Sequence, residues 1–179
     1  MTAADRPPYA DPTRLDAEQQ RVRDAVIAGP RGRMEAPLAI WLHSPVLADR
    51  AQSLGAFCRY ATSLAPRLSE LAILITAAYW DAAYEWSVHA PIGLRAGLSD
   101  AVLEAVRDHR QPHFTREDEA VIFDFSSEIL HTHRVSQTTY DRAVAAFGLA
   151  ATVELVGVLG YYGLISMTIC AFEIPDFSG

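Results

Sequence analysis

The chain of 179 residues has no lysine and no asparagine, so all 15 of its basic residues are arginine. Without a lysine amine there is no Schiff-base catalysis and no lysine-anchored pyridoxal phosphate. A Walker A phosphate loop, which requires its lysine, is excluded as well. Without asparagine there is no acceptor for N-glycosylation. Cysteine is nearly as scarce. Cys58 and Cys170 stand far apart and neither belongs to a C-x-x-C pair, which argues against a disulfide framework and against a cysteine zinc site. Both read as small buried hydrophobes rather than nucleophiles. Positive charge is also in short supply: a net charge of -7 and a pI near 5.3 give nucleic acid little to bind, so no nucleic-acid partner is expected.

Alternating strand patterns are missing too. Half of the residues are hydrophobic and 21% are charged, the balance of a globular chain. The segment MTAADRPPYADPTR is polar and proline-rich and lacks the apolar core of a signal peptide. It reads as a flexible arm or a strap on a neighbouring subunit, with cytoplasmic location as the expectation. Residues 1–34 are assigned to this arm and a first helix, and residues 35–175 to one helical domain.

What the sequence does contain is helix after helix. Asp16 is placed to cap a helix ending at Ala28, before Gly29-Pro30. A linker with Gly32 and Pro37 leads to Trp41-Leu42-His43. Ser44-Pro45 opens a helix to about Ala61, and Pro66 opens another through Tyr79 or Trp80. Asp81 is the expected cap of a helix ending near Gly97. Ser99 caps one to about His109, Thr115 with Asp118 resembles a capping box, and Ser136 starts a helix that Gly148 ends. The last helix runs from about Ala150 to Phe172. An all-α single domain of about seven or eight helices is predicted. Leu155–Phe172 carries no charge and reaches the lower length of a membrane span. Glu154 and Glu173 bracket it closely, and no arginines flank it to orient it. Gly157, Gly160 and Gly163 thin one side of this helix. It is read as a buried or intersubunit helix with no membrane partner.

The chemistry concentrates between Glu70 and His89. Glu85 and His89 are four apart and share one face of a helix. Carboxylate beside imidazole suits proton transfer, and it is equally a surface ion pair. Glu70 lies in LSELAILI, where a carboxylate among apolar neighbours needs a polar partner; His89 or Tyr84 is expected to supply it. Tyr84 and Trp86 flank the pair as candidate substrate contacts, with core packing the favoured role of Trp86. His43, just before Ser44-Pro45, is a further candidate substrate contact or a capping-region residue. One histidine with two carboxylates is a weak metal set, and no metal or other cofactor is assigned. His131 and His133 do not share a helical face and read as cations near a helix C-terminus.

Three ordered stretches, AIWLHSPVLADRAQSLGAFCRYATSLAPRLSELAIL, YEWSVHAPIGLRAGLSDAVLEAV and HRVSQTTYDRAVAAFGLAATVELVGVLGYYGLISMTICAFEIP, resemble the carboxymuconolactone decarboxylase-like family, within the alkylhydroperoxidase D-like superfamily. The resemblance covers residues 35 to 175. It implies an all-helical, alkylhydroperoxidase D-like subunit assembled into trimers or hexamers. In the peroxidase members a glutamate precedes a C-x-H-C segment and a later histidine. Those positions fall on Glu70, on Ala82-Ala83-Tyr84-Glu85 and on His89. Both cysteines are thus absent, replaced by Ala82 and Glu85, which removes the thiolate and its resolving partner. The resemblance therefore implies an acid–base enzyme of the decarboxylase or lactone-converting type, not a thiol peroxidase. Glu70, Glu85 and His89 are its catalytic candidates, and a small carboxylic acid or lactone its substrate. An arginine fork would hold a carboxylate; Arg67 and Arg95 are nearest in sequence. The other reading is a non-catalytic ligand-binding or assembly protein on the same fold.

Overall fold

The computed structural model describes residues 9–176. Residues 1–8 of the expected N-terminal arm lie outside the described residues. Among those described there are eight helices and no strand: α1 Ala17–Ala28, α2 Ala36–Trp41, α3 Pro45–Tyr60, α4 Pro66–Tyr79, α5 Ala83–Ala96, α6 Asp100–Arg107, α7 Glu117–Thr132 and α8 Gln137–Phe172. The all-α expectation holds.

Local chemistry sets most of the boundaries. Asp16 accepts from the backbone of Glu18 and Gln19, and the Gln19 side chain returns the bond to Asp16 N, a complete capping box. Ser99 and Ser136 cap α6 and α8 through their hydroxyls. Prolines open α3 and α4, where their missing N–H costs nothing. Gly97 ends α5 in the left-handed conformation, at φ 103°.

Three expectations are corrected. The linker around Pro37 contains a helix, α2, with Pro37 in its first turn; it forms because Leu38, Ile40 and Trp41 are all buried. Asp81 does not cap α5: it lies outside the helix at φ 50°, and Ala82 occupies the cap position. Thr115 and Asp118 form no capping box either. α7 starts after Arg116, and Asp118 pairs instead with Arg67 at 2.7 Å. The break expected at Gly148 is present, as non-helical backbone (φ 80°, ψ 163°) that divides α8.

α4 is the centre of the bundle. It packs against α5, α6, α7 and α8, and every residue from Arg67 to Ala78 is buried. A helix apolar nearly all round is stable only when covered on all sides, so Glu70 near its start is carried into the interior. α1 joins the same core through Val22 and Val26, and residues 9–15 lie on α2, with Ala10 N donating to Ala39 O at 3.4 Å. Residues on both sides of position 34 therefore share one core.

By length and composition α8 is able to cross a membrane. Its inner side carries Tyr161, Tyr162 and Ser166, all buried against the bundle, whereas Leu149, Val153, Val156 and Met167 are exposed apolar residues. Apart from the helix's own adjacent backbone, no atom lies within 4 Å of a Cβ placed at Gly157, Gly160 or Gly163. The close neighbour expected along these glycines is thus not supplied by the described part of the subunit.

Gly55 on α3 has a different role. A Cβ there would collide with the Tyr161 hydroxyl and the Arg31 guanidinium, so the missing side chain is what lets both reach inward. Gly55→Ala is expected to lower stability by about 1–3 kcal/mol from overpacking, despite alanine's advantage of about 1 kcal/mol in a helix. Urea denaturation of the wild type and variant measures it.

Candidate active site

α4 and α5 bring together the three residues singled out from the sequence. Glu70 lies in the second turn of α4; Glu85 and His89 share one face of α5. The His89 ring is 1% exposed and spans both carboxylates. Nδ1 is 2.7 Å from Glu70 Oε2, and Nε2 is 3.1 Å from Glu85 Oε1. Tyr162 closes the site edge-on to the imidazole, ring centroids 5.1 Å apart. Burial by itself would drive the His89 pKa down. Hydrogen bonding to Glu70 and Glu85 overcomes this and raises it to about 9. At neutral pH the ring is an imidazolium that donates to both glutamates. A metal could reach it only by displacing one of them.

Beside this triad lies a second cluster that sequence reasoning did not find. Glu35 bridges two arginines: Arg59 Nη1 donates to Oε1 at 2.9 Å and Arg31 Nη1 to Oε2 at 3.2 Å. Arg31 Nη2 also donates to the Tyr161 hydroxyl at 3.2 Å. Burial opposes ionisation of Glu35, but Arg59 and Arg31 outweigh it and hold the pKa below the usual carboxylate range. The second cluster and Glu85 of the first line a small cavity of about 10 Å3, together with Tyr84 and Tyr162 among others. That is space for about one water molecule.

Tyr84 is the wall between this cavity and a much larger chamber of about 520 Å3. Its hydroxyl accepts from Ala36 N at 3.4 Å. Tyr84 thus lines two pockets. Trp86 and His43 do not join it. Trp86 is half-buried and lines a separate pocket with Ala82, Ser87 and Arg107. His43 is exposed in the turn between α2 and α3. The two arginines nearest in sequence lie elsewhere: Arg67 is committed to Asp118 and Glu119 on α7, and Arg95 is exposed in the last turn of α5. The arginines that line the cavity are Arg31 and Arg59. The i,i+4 spacing of Arg31 and Glu35 was the one available signal, and it lies in a loop where that spacing implies no contact.

The cysteines stay apart from this chemistry. Cys58 is buried in the core and desolvation pushes its pKa to about 11; Cys170 is exposed on α8 and donates to Trp80 O. No family model and no curated protein matches the chain.

Chemically, the site pairs a proton donor, the His89 imidazolium, with carboxylate acceptors, and sets an anion-holding arginine pair across from them. The linkage to stability has a definite sign. His89 is raised above its ordinary 6.5 in the folded protein, so its contribution is complete below about pH 6.5 and is lost as pH rises through about 9. The urea midpoint is expected to fall between pH 7 and 10 by an amount corresponding to a few kcal/mol, with a flatter profile in His89→Gln.

Proposed function

We propose that the protein is a cofactor-independent acid–base enzyme of small-molecule catabolism, of decarboxylase or lactone-converting type, acting on a small carboxylic acid or lactone. The observation that carries this reading is His89, fully buried between Glu70 and Glu85, with Glu85 in turn lining a small cavity that Arg31 and Arg59 also line. Taking charges out of water costs several kcal/mol per ion, and apolar residues of similar volume often serve stability equally well. Perturbed titratable groups around a cavity are characteristic of functional sites.

In a decarboxylation the substrate carboxylate leaves as CO2. The electron pair left on carbon takes a proton that Glu85 relays from His89, and solvent later restores it. In a lactone isomerisation Glu85 removes a proton from one carbon and returns one at the new position, with His89 as its proton reservoir. Glu70 holds Nδ1 and so fixes the ring, while Nε2 is hydrogen-bonded to Glu85, which lines the cavity. The all-helical fold agrees with the carboxymuconolactone decarboxylase-like resemblance, and the want of a thiolate in the cluster argues against peroxidase chemistry. We assign the exposed apolar stripe of α8 to contacts with further copies of the chain, in a cytoplasmic homo-oligomer, rather than to lipid.

One observation favours a second reading, a non-catalytic binding protein: the hydrogen-bonding cavity beside the triad has room for only about one water. Turnover decides between them. On a panel of small lactones and carboxylic acids with activated carboxyl groups, His89→Gln and Glu85→Gln are expected to lower kcat about 10²–10⁴-fold. Glu70→Gln should lower it less and move the pH profile. A wild type that turns over nothing on the panel, or a His89→Gln variant at full rate, rejects the enzyme reading. For the assembly, Val156→Asp is expected to reduce the sedimenting mass of the wild-type particle.

A further inference from the structure

We infer that the 520 Å3 chamber and the Arg31–Arg59 pair are two halves of one binding site for an amphipathic monocarboxylate, whose carboxylate takes the place that the Glu35 side chain occupies. This deepens the proposed function and rests on its cavity, though not on turnover.

The arginine pair has the geometry of a carboxylate receptor. Planar guanidinium forks are matched to a carboxylate, and here they hold one supplied by the chain itself. Their donor capacity exceeds what Glu35 takes up. Arg31, with a side chain only 4% exposed, keeps its Nε buried and without a hydrogen-bond partner. Buried donors left unfilled are rare and call for a cause.

Glu35 is also held in a way that permits its release. It sits at the N-cap position of α2, yet its side chain makes no capping hydrogen bond. The residues before it are non-helical, and Gly32 adopts φ +68° with open space around its Cβ position. The helix therefore loses no cap when the Glu35 side chain turns outward. Glu35 would exchange arginines for water while the incoming carboxylate takes its place, so the buried charge is unchanged. Uncompensated, two buried arginines would be costly; exchanged, they are not.

The path is short. Met34 and Ala36, on either side of Glu35, line the chamber, while Glu35 lines the cavity; Tyr84 borders both. Moving Glu35 and the Tyr84 ring would join the two spaces. The chamber is lined mainly by apolar groups, among them Leu15, Met34, Ala39 and Leu42, and its volume suits a small organic molecule. Its one arginine, Arg23, already pairs with Asp24 at 2.8 Å. The chamber thus fits a mainly apolar body. With its carboxylate on Arg31 and Arg59, such a ligand lies beside Glu85, the hydrogen-bond partner of His89.

The test is binding, measured by titration calorimetry with hexanoate and with hexanamide. Glu35→Gln removes the internal competitor and is expected to bind hexanoate at least tenfold more tightly than the wild type, with hexanamide weak in both. Equal hexanoate affinity in the two proteins, equal affinity for acid and amide, or no hexanoate binding by either overturns the proposal. Because Glu35→Gln leaves the arginines without their carboxylate, Glu35→Ala provides a measurement that does not need a stable variant. Propionate is expected to raise its Tm by several degrees, where propionamide or sodium chloride at equal ionic strength does not. Lack of that selectivity also overturns it. These outcomes are independent of the enzyme reading, which fails on turnover while carboxylate binding persists.

Discussion

The structure is organised around the cost of burying charge. Three carboxyl groups, Glu35, Glu70 and Glu85, and three cationic side chains, Arg31, Arg59 and His89, form two ion-paired clusters in the interior, with Glu85 of one lining the cavity of the other. An ion alone in such a place costs several kcal/mol. Each is tolerable because an opposite charge lies within hydrogen-bonding distance, and removal of one member would strand its partner. Balance is therefore the constraint that the surrounding elements satisfy. α4 contributes one acid, α5 an acid and the imidazole, α3 an arginine, and the segment between α1 and α2 an arginine and an acid. No single element could fold around its own share.

That constraint explains the packing around the cluster. α4 is buried along nearly its whole length, which keeps water from Glu70 and strengthens every interaction His89 makes. Gly55 leaves the space into which Arg31 and the Tyr161 hydroxyl converge. Tyr161 and Tyr162, stacked edge-to-face at 5.3 Å, seal the side facing α8. The apolar inner face of α8 is in this sense the lid of a polar site, while its outer apolar residues stay exposed.

How much of this could be read in advance differs from residue to residue, for physical reasons. Glu85 and His89 were legible because helical periodicity fixes which residues share a face, and Glu70 because a carboxylate in an apolar run must find a partner. Trp86 follows Glu85 directly, and successive residues on a helix point roughly 100° apart, so nearness in sequence put it in a different pocket. Arg31, Glu35 and Arg59 were hidden by tertiary structure: two lie in a loop and the third ends a distant helix. The absence of lysine made this worse. When every base is an arginine, its choice at one position carries no signal of a carboxylate site. The helix count and the Gly148 break came through clearly, since caps and periodicity are local. α2 did not, since its six residues are helical only because the core covers them.

Charge balance also bears on how such a site could open without falling apart. A neutral ligand entering the cavity would have to push Glu35 aside and leave Arg31 and Arg59 facing an uncharged group, at the full cost of two unpaired buried cations. A dianion would bring one more negative charge into the interior than Glu35 takes out. Only a group of the same charge and similar shape as the departing side chain leaves the interior neutral before and after. The raised pKa of His89 depends on the same sum: it stays an imidazolium because Glu70 and Glu85 remain beside it throughout. A carboxylate that replaces Glu35 thus arrives next to a proton donor whose charge state it does not disturb, and selectivity for one class of ligand and readiness of the acid follow from a single electrostatic condition.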